Sequence, residues 1–497
     1  MPLLISRRRR RTTALTALAT AALVSPLLLA GPAAATGGHH GHGSAAKKGD
    51  RLARELVRES NAKDAHRHLR ALQNIADYSD GTRVAGSVGH ERSARYVEDK
   101  LKRAGYKVTR NAFDFVYTET VAQTLDVVAP APRSVPVILM TYTASGPEDG
   151  VTAPVAVVPA DDTTGCEAGD YAAGAFTGKI ALIKRGGCPF AVKQAAAADA
   201  GAVGAIVYNN TEGPLNGTIG DPAAGRIPTG GVTQADGEAL AADAAAGQVT
   251  VRLDIREHRE DRTTYNVIAE TRGGDPANTV MFGAHLDSVA HGPGINDNGS
   301  GSAGILQVAL ELAESGAKPA NKVRFAWWSA EEFGLLGSEA YVAGLSDAQR
   351  AQISLYLNFD MIASPNAAYF VYDGDDSDGV GSGPGPEGSA QLEKGINDFL
   401  DGKRIPHEGT DFTGRSDYGP FIAAGIPAGG TFTGAEGIKT AAQAARYGGT
   451  AGVAYDPCYH QACDDIDNID MKAFDVNIDV IADAVGHYAY DTRAVRN

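Results

Sequence analysis

The second half of the chain alternates short continuous apolar runs with longer stretches in which apolar positions recur every three or four residues. The runs "TVMFGA" (279–284), "VRFAWW" (323–328) and "LYLNF" (355–359) have the length of strands and no polar face, so they predict strands buried on both sides. Between the first two lies "SAGILQVALELAES" (302–315), which has helical spacing, and a further helix is expected after Gly334. Upstream, "HERSARYVEDKLKRAGY" places Ala94, Tyr96, Val97 and Leu101 on one helical stripe that stops at Gly105. The strand "YKVTRNAFDFV" follows. Strands separated by helices predict an α/β fold, a mostly parallel mixed sheet flanked by helices.

The pattern changes between about residues 120 and 255. Ala, Gly, Val and Pro dominate there, charges are few, and short β-runs such as "VAVVPA", "KIALIKR" and "GAIVYNN" surround one Ala-rich helix at 190–200. The chain is therefore expected to build one α/β domain from two pieces, 51–118 and 256–497, interrupted by a small β-rich insert at 119–255.

Composition adds the compartment. Arg7 to Arg11, an apolar middle and the small residues Ala33 to Ala35 read as a secretory signal over 1–35; the arginine run also permits a twin-arginine route. Residues 36–50, rich in Gly, His and Lys, are expected to be a disordered leader or pro-segment. Loss of the signal moves the formal charge from −15 to −20, and no later apolar run is long enough to span a bilayer. The mature protein is thus expected to be extracellular, with neither nucleic acid nor membrane as partner. Four cysteines suit an oxidising compartment; pairing neighbours in sequence gives Cys166–Cys188 and Cys458–Cys463, one of three arrangements.

Candidate chemistry sits at the carboxyl ends of the predicted strands, where open α/β sheets bind ligands. His285 ends the first, the pair Glu331-Glu332 follows the second, and Asp360 ends the third. Asp297 lies in the glycine-rich loop "GINDNGSG", and Tyr459 and His460 sit between two cysteines in "YDPCYHQACDD". Each has an ordinary structural explanation alone: a hydrogen-bonded histidine, a helix cap, a solvated acidic pair. Together, carboxylates converging on one sheet edge would repel one another unless cations intervened. His285, Asp297, Glu332, Asp360 and His460 offer nitrogen and oxygen donors suited to a zinc pair, with Asp297 able to bridge. Asp287, two residues after His285, is the expected carboxylate that orients its imidazole.

These strings resemble the M28 zinc peptidases, and especially the secreted Streptomyces-type leucyl aminopeptidases, in "GAHLDSV", "GINDNGSGSA", "RFAWWSAEEFGLLGS" and "YDPCYHQACD". The resemblance implies a zinc-peptidase fold with two zinc ions, one held by His285 and Asp360, the other by Glu332 and His460, with Asp297 between them. It implies Glu331 as general base, Tyr459 as donor to the oxyanion, Arg415 as a substrate contact, and Met361, Tyr372 and Phe432 as the pocket for a large apolar N-terminal residue such as Leu. Asp475 and Asp479 match calcium-binding positions of relatives and fit either that role or a plain surface acidic pair; Glu59 is a candidate third ligand. The insert resembles a protease-associated (PA) domain, most clearly over 178–210. The expected substrates are peptide or protein N-termini, and the expected state is a monomer. Rival readings are a carboxypeptidase, a glutaminyl-cyclase-like enzyme using one zinc, and a non-catalytic binding protein on the same scaffold.

Overall fold

The apolar runs do form strands, and among the described residues, 39–496, fourteen strands join into one continuous sheet. In chain order these are β1 (Lys107–Ala129), β2 (Arg133–Val135), β3 (Ile138–Leu139), β4 (Val151–Val157), β5 (Ile180–Lys184), β6 (Gly204–Tyr208) and β7 (Thr229–Val232). There follow β8 (Thr250–Glu270), β9 (Asp275–His285), β10 (Asn321–Trp328), β11 (Ile353–Phe359), β12 (Phe370–Tyr372), β13 (Glu408–Thr410) and β14 (Ala428–Phe432). The structure is a computed structural model; the expected signal at 1–35 lies outside the described residues.

One half of the sheet has the order β13-β12-β14-β11-β9-β10-β8-β1. Its centre, β14, β11, β9 and β10, is parallel, and β8 is antiparallel to both β10 and β1. Period-two alternation sends side chains to two separate cores. Val280, Phe282 and Ala284 of β9 join Val323, Phe325 and Trp327 of β10 in the larger core, under the helices His39–Glu59, Ala62–Asp77, Val88–Arg103, Gly301–Glu314 and Met471–Tyr488. Met281, Ala326 and Trp328 face the other way, with Tyr341 and Phe421. Burying each large apolar side chain contributes about 1.5–3 kcal/mol over leaving it in water. The helix Gly301–Glu314 begins hard against the sheet, which requires glycine at its first position: a Cβ on Gly301 would lie 2.0 Å from the Phe359 carbonyl oxygen.

The other half is built on β4 to β7, four parallel strands with two cores of their own. The insert is less purely β than expected, because Gln234–Ala246 forms a second helix beside Phe190–Asp199. β1 and β8 belong to both halves. They pair antiparallel from Lys107↔Glu270 to Ala129↔Thr250, with register shifts at Thr120/Ala122 and Val127/Ala129.

Of the segment 36–50, expected to be a disordered leader or pro-segment, the described part is not irregular: a helix runs over His39–Glu59. Its latter part carries the buried Leu52, Ala53 and Leu56, while Gly49 lies close enough to His487 that a Cβ would meet its carbonyl oxygen at 3.1 Å. Asp50 also reaches His487, Oδ1 to Nδ1 3.3 Å. Tertiary packing thus overrides the poor helix propensity of Gly and His. No helix of the described residues is long and apolar enough to cross a membrane.

Candidate active site

The polar residues at the ends of β9, β10 and β11 meet at one edge of the parallel sheet. His285 is the last residue of β9. Glu331 and Glu332 leave β10 through Ala330, whose φ of +59° turns the chain, and the Glu331 carbonyl then accepts from the amides of Gly334 (2.8 Å) and Leu335 (2.9 Å). That turn lets adjacent glutamates serve different partners. Asp360 directly follows β11.

Asp297 lies at the centre. His285 Nε2 is 3.1 Å from its Oδ1, and His460 Nε2 is 3.2 Å from its Oδ2. Around this bridge, His285 Nε2 lies 3.4 Å from Asp360 Oδ1 and 3.8 Å from Glu331 Oε2, while His460 Nε2 lies 3.1 Å from Glu332 Oε2. All five expected ligands and Glu331 therefore come together. Glu332 Oε1 and Asp360 Oδ1 are buried without a hydrogen-bond partner, a costly state for carboxylate oxygens and one that a cation would relieve.

Electrostatics agree with that need. Burial, with Asp360, Asp417 and Glu332 nearby, pushes Glu331 well above the usual carboxylate range. Burial and Asp297 push Glu332 up to about 7. Burial would lower both imidazoles, but Asp360 and Glu331 hold His285 well above its ordinary value, and Glu332 and Asp297 raise His460 to about 11. These carboxylates can lie so close only if protons or cations offset their charge, and divalent cations would displace the protons.

Asp287 departs from its expected geometry. The Nδ1–H of His285 donates to the main-chain carbonyl of Asp287 at 3.2 Å, and the Asp287 carboxylate stands 3.8 Å off. Its two oxygens instead accept the amides of Glu331 (3.3 Å) and Glu332 (3.4 Å). The backbone of Asp287 therefore sets the tautomer of His285, and its side chain pins the glutamate turn.

Asp360 is aimed by a buried relay absent from the sequence reading. Trp328 Nε1 donates to Tyr356 Oη (2.8 Å), which donates to Asn358 Oδ1 (2.8 Å). Asn358 Nδ2 donates to Ser416 Oγ (2.7 Å), and Ser416 donates to Asp360 Oδ2 (2.5 Å). Oδ1 is left to face His285. Also missed was Asp417, fully buried, which burial and the neighbouring Asp360 and Asp287 push up to about 8 against the opposing pull of His285. Asp464 escaped notice as well; its carboxylate accepts the amides of Asn296 (2.8 Å) and Asp297 (3.0 Å) and ties the bridging loop to the cysteine loop. These residues carry no spacing signal, since each is one polar letter in a loop.

Both cysteine pairs bond as neighbours, Cys166–Cys188 and Cys458–Cys463. The second closes a loop in which His460 adopts φ +59° and Tyr459 stacks on its ring at 3.8 Å between centroids. The Tyr459 hydroxyl accepts from Arg415 Nη2 (3.1 Å), and Arg415 Nη1 donates to Glu436 Oε1 (2.8 Å). Met361 and Tyr372 are buried, Tyr372 stacking on Phe412 at 5.2 Å, and Phe432 packs on Phe370 at 6.0 Å. Away from the site, Asp475 Oδ1 accepts the Ala62 amide (2.8 Å), Asp479 pairs with Lys403 (3.1 Å), and Glu59 pairs with Arg58 (2.7 Å). Asp475, Asp479 and the candidate Glu59 do not fall in one group of metal-competent side chains among the described residues, which fits the plain acidic pair.

Comparison with known proteins fits this geometry. The profile of Peptidase family M28 matches residues 266–485, and that of the PA domain matches 151–240. A leucine aminopeptidase 2 of Arthroderma otae is 46% identical over 447 residues, 89% of this chain and 87% of its own length; that of Trichophyton rubrum is 45% identical over 441 residues, 88% and 86%. Among solved structures, the aminopeptidase from Aneurinibacillus sp. strain AM-1 superposes with a TM-score of 0.69 at 29% identity, covering 87% of this chain and 95% of that one. BSAP, a zinc aminopeptidase from Bacillus subtilis, gives 0.59 at 26% identity, covering 86% and 94%. With two imidazoles and the carboxylates gathered at the sheet edge, and relatives matching over nearly nine-tenths of its length, the chain belongs to peptidase family M28 and carries a PA domain within it.

Proposed function

We propose that this protein is a secreted dinuclear zinc aminopeptidase that removes large apolar N-terminal residues, such as Leu, from peptides. Zinc metallo-aminopeptidase activity is supported by the family and by the aminopeptidase relatives. The observation that carries the two-ion reading is Asp297, whose two oxygens face two different imidazoles at 3.1 and 3.2 Å. His285 and Asp360 would hold one ion, Glu332 and His460 the other, and Asp297 both. When bound, zinc polarises the scissile carbonyl and makes water more acidic.

The residues of the chain do the rest. Glu331, half-buried beside His285 and Asp360, takes a proton from the attacking water as its oxygen adds to the carbonyl carbon. The same carboxyl then gives that proton to the leaving nitrogen as the C–N bond breaks, so the base is regenerated. Tyr459 accepts from Arg415, which leaves its own O–H free to donate to the developing oxyanion. The carboxylate-rich site suits a free α-amine. Met361 follows the end of β11, Phe432 ends the parallel neighbour β14, and Tyr372 ends β12, which runs antiparallel beside β14; these three form the apolar pocket in this reading. The two disulfides are compatible with export.

Metal analysis of the purified protein with a panel of aminoacyl-p-nitroanilides tests the proposal. About two zinc ions per chain and fastest release from the leucyl substrate are expected, because two ions sharing a bridging carboxylate make up one catalytic site. One ion per chain, or no release from any unblocked substrate, would reject it.

A further inference from the structure

Arg83 lies in the turn between the helices Ala62–Asp77 and Val88–Arg103, far in sequence from every residue of the site, and is wholly buried. Its guanidinium makes no ion pair within 4 Å among the described residues. It spends its donors on three main-chain carbonyls of a single loop: Nη1 on Leu286, Nε on Pro293 (2.8 Å) and Nη2 on Gly294 (2.5 Å). Its own amide donates to Ser288 Oγ (2.9 Å). The loop so gripped begins one residue after His285, contains Asp287, and ends three residues before Asp297.

A planar fork bridging both ends of a loop fixes the distance across it, which a single point donor cannot do. Gly294 adopts φ +62°, and a Cβ there would lie 2.4 Å from the Asp297 carbonyl oxygen, 2.6 Å from Ser288 Cβ and 3.3 Å from Arg83 Nη2, so the gripped loop is tightly packed around the guanidinium. The charge also has a role. Burial lowers Arg83 to about 10 despite the opposing pull of Asp287, Asp464, Glu332 and Asp297. It remains charged at neutral pH, a fixed positive group behind the site's carboxylates.

We propose that Arg83 is the positioning residue of the metal site: by clamping Leu286, Pro293 and Gly294 it sets the span from His285 to Asp297, and with it the affinity for the zinc pair. This rests on the two-zinc reading above. An arginine with only a packing role would support the fold and leave metal affinity unchanged.

The test compares wild type, Arg83→Lys, which keeps charge but loses the fork, and Arg83→Met, which loses both. Zinc affinity is measured by chelator competition, the fold by circular dichroism, and kcat and KM at saturating zinc. Folded variants should bind zinc about 10–100-fold more weakly, Lys less affected than Met, with KM within about twofold of wild type. Wild-type zinc affinity in either folded variant, or failure of both to fold, overturns the proposal. If wild type itself binds no zinc pair, the functional reading fails first, and the two failures are distinguishable.

Discussion

His285 and His460 present their Nε2 atoms to opposite oxygens of Asp297, at 3.1 and 3.2 Å, although they come from a strand end and a disulfide loop on separate parts of the chain. One carboxylate thus registers two ligand groups against each other. Replacing it should affect both, whereas replacing one histidine should affect one.

Asp297→Ala is accordingly expected to lose both ions, and His460→Ala to keep about one zinc per chain. Elemental analysis after dialysis against trace zinc measures this. An Asp297→Ala protein that retains a full complement would contradict the bridging role.

Asp287 acts on the turn between the two glutamates. Asp287→Asn preserves size but cannot accept equally from both amides, so one carboxylate loses its aim. We expect kcat to fall about 10–100-fold at saturating zinc, with KM little changed. Steady-state kinetics on one aminoacyl substrate decides it, and an unaltered kcat would refute the pinning role.

The two disulfides should differ in consequence. Cys458→Ser with Cys463→Ser frees the loop that holds His460 and Tyr459, and is expected to weaken zinc binding by about tenfold or more. Cys166→Ser with Cys188→Ser lies in the insert and should leave kcat within about twofold. Equal loss in both double variants would show that the site does not depend on the short loop specifically.

Acid stability carries a signature from His90. Burial chiefly, helped by the nearby Arg83, lowers this imidazole to about 3 from an ordinary value of 6.5. Between those values the unfolded chain takes up a proton that the folded protein refuses. The neutral imidazole's contribution is therefore complete above pH 6.5 and is lost as pH falls toward 3. Urea unfolding of the metal-free protein across that window should show a slope up to about 1.4 kcal/mol per pH unit shallower in His90→Gln than in wild type. Identical slopes would place the acid sensitivity elsewhere.

Legibility in the sequence followed the local signals. The ends of β9, β10 and β11 could be read because an uninterrupted apolar run makes a following His, Glu or Asp conspicuous. Asp297 and His460 stood out through a glycine-rich loop and a close cysteine pair. Arg83, Ser416, Asp417 and Asp464 could not be read, since their roles arise only when distant loops fold against one another. The helical leader was missed because its Gly and His letters argue against the helix that tertiary contact with His487 supports. The full extent of β1 and β8 was hidden too: the charged stretch "EHREDR" (257–262) looks like a loop, yet it pairs without interruption opposite 115–120.

That pairing has a consequence for recombination. Because the same two strands pass through both halves, no seam exists at which the PA module can be exchanged for a homologous one by joining loops. A crossover has to cut both strands at matched rungs, for instance Thr118 with Arg259. It must also keep the count of residues even, since a slip of one would turn every following side chain to the wrong side. Chimaeras that respect this parity should yield folded protein, and those offset by one residue should be recovered as aggregates.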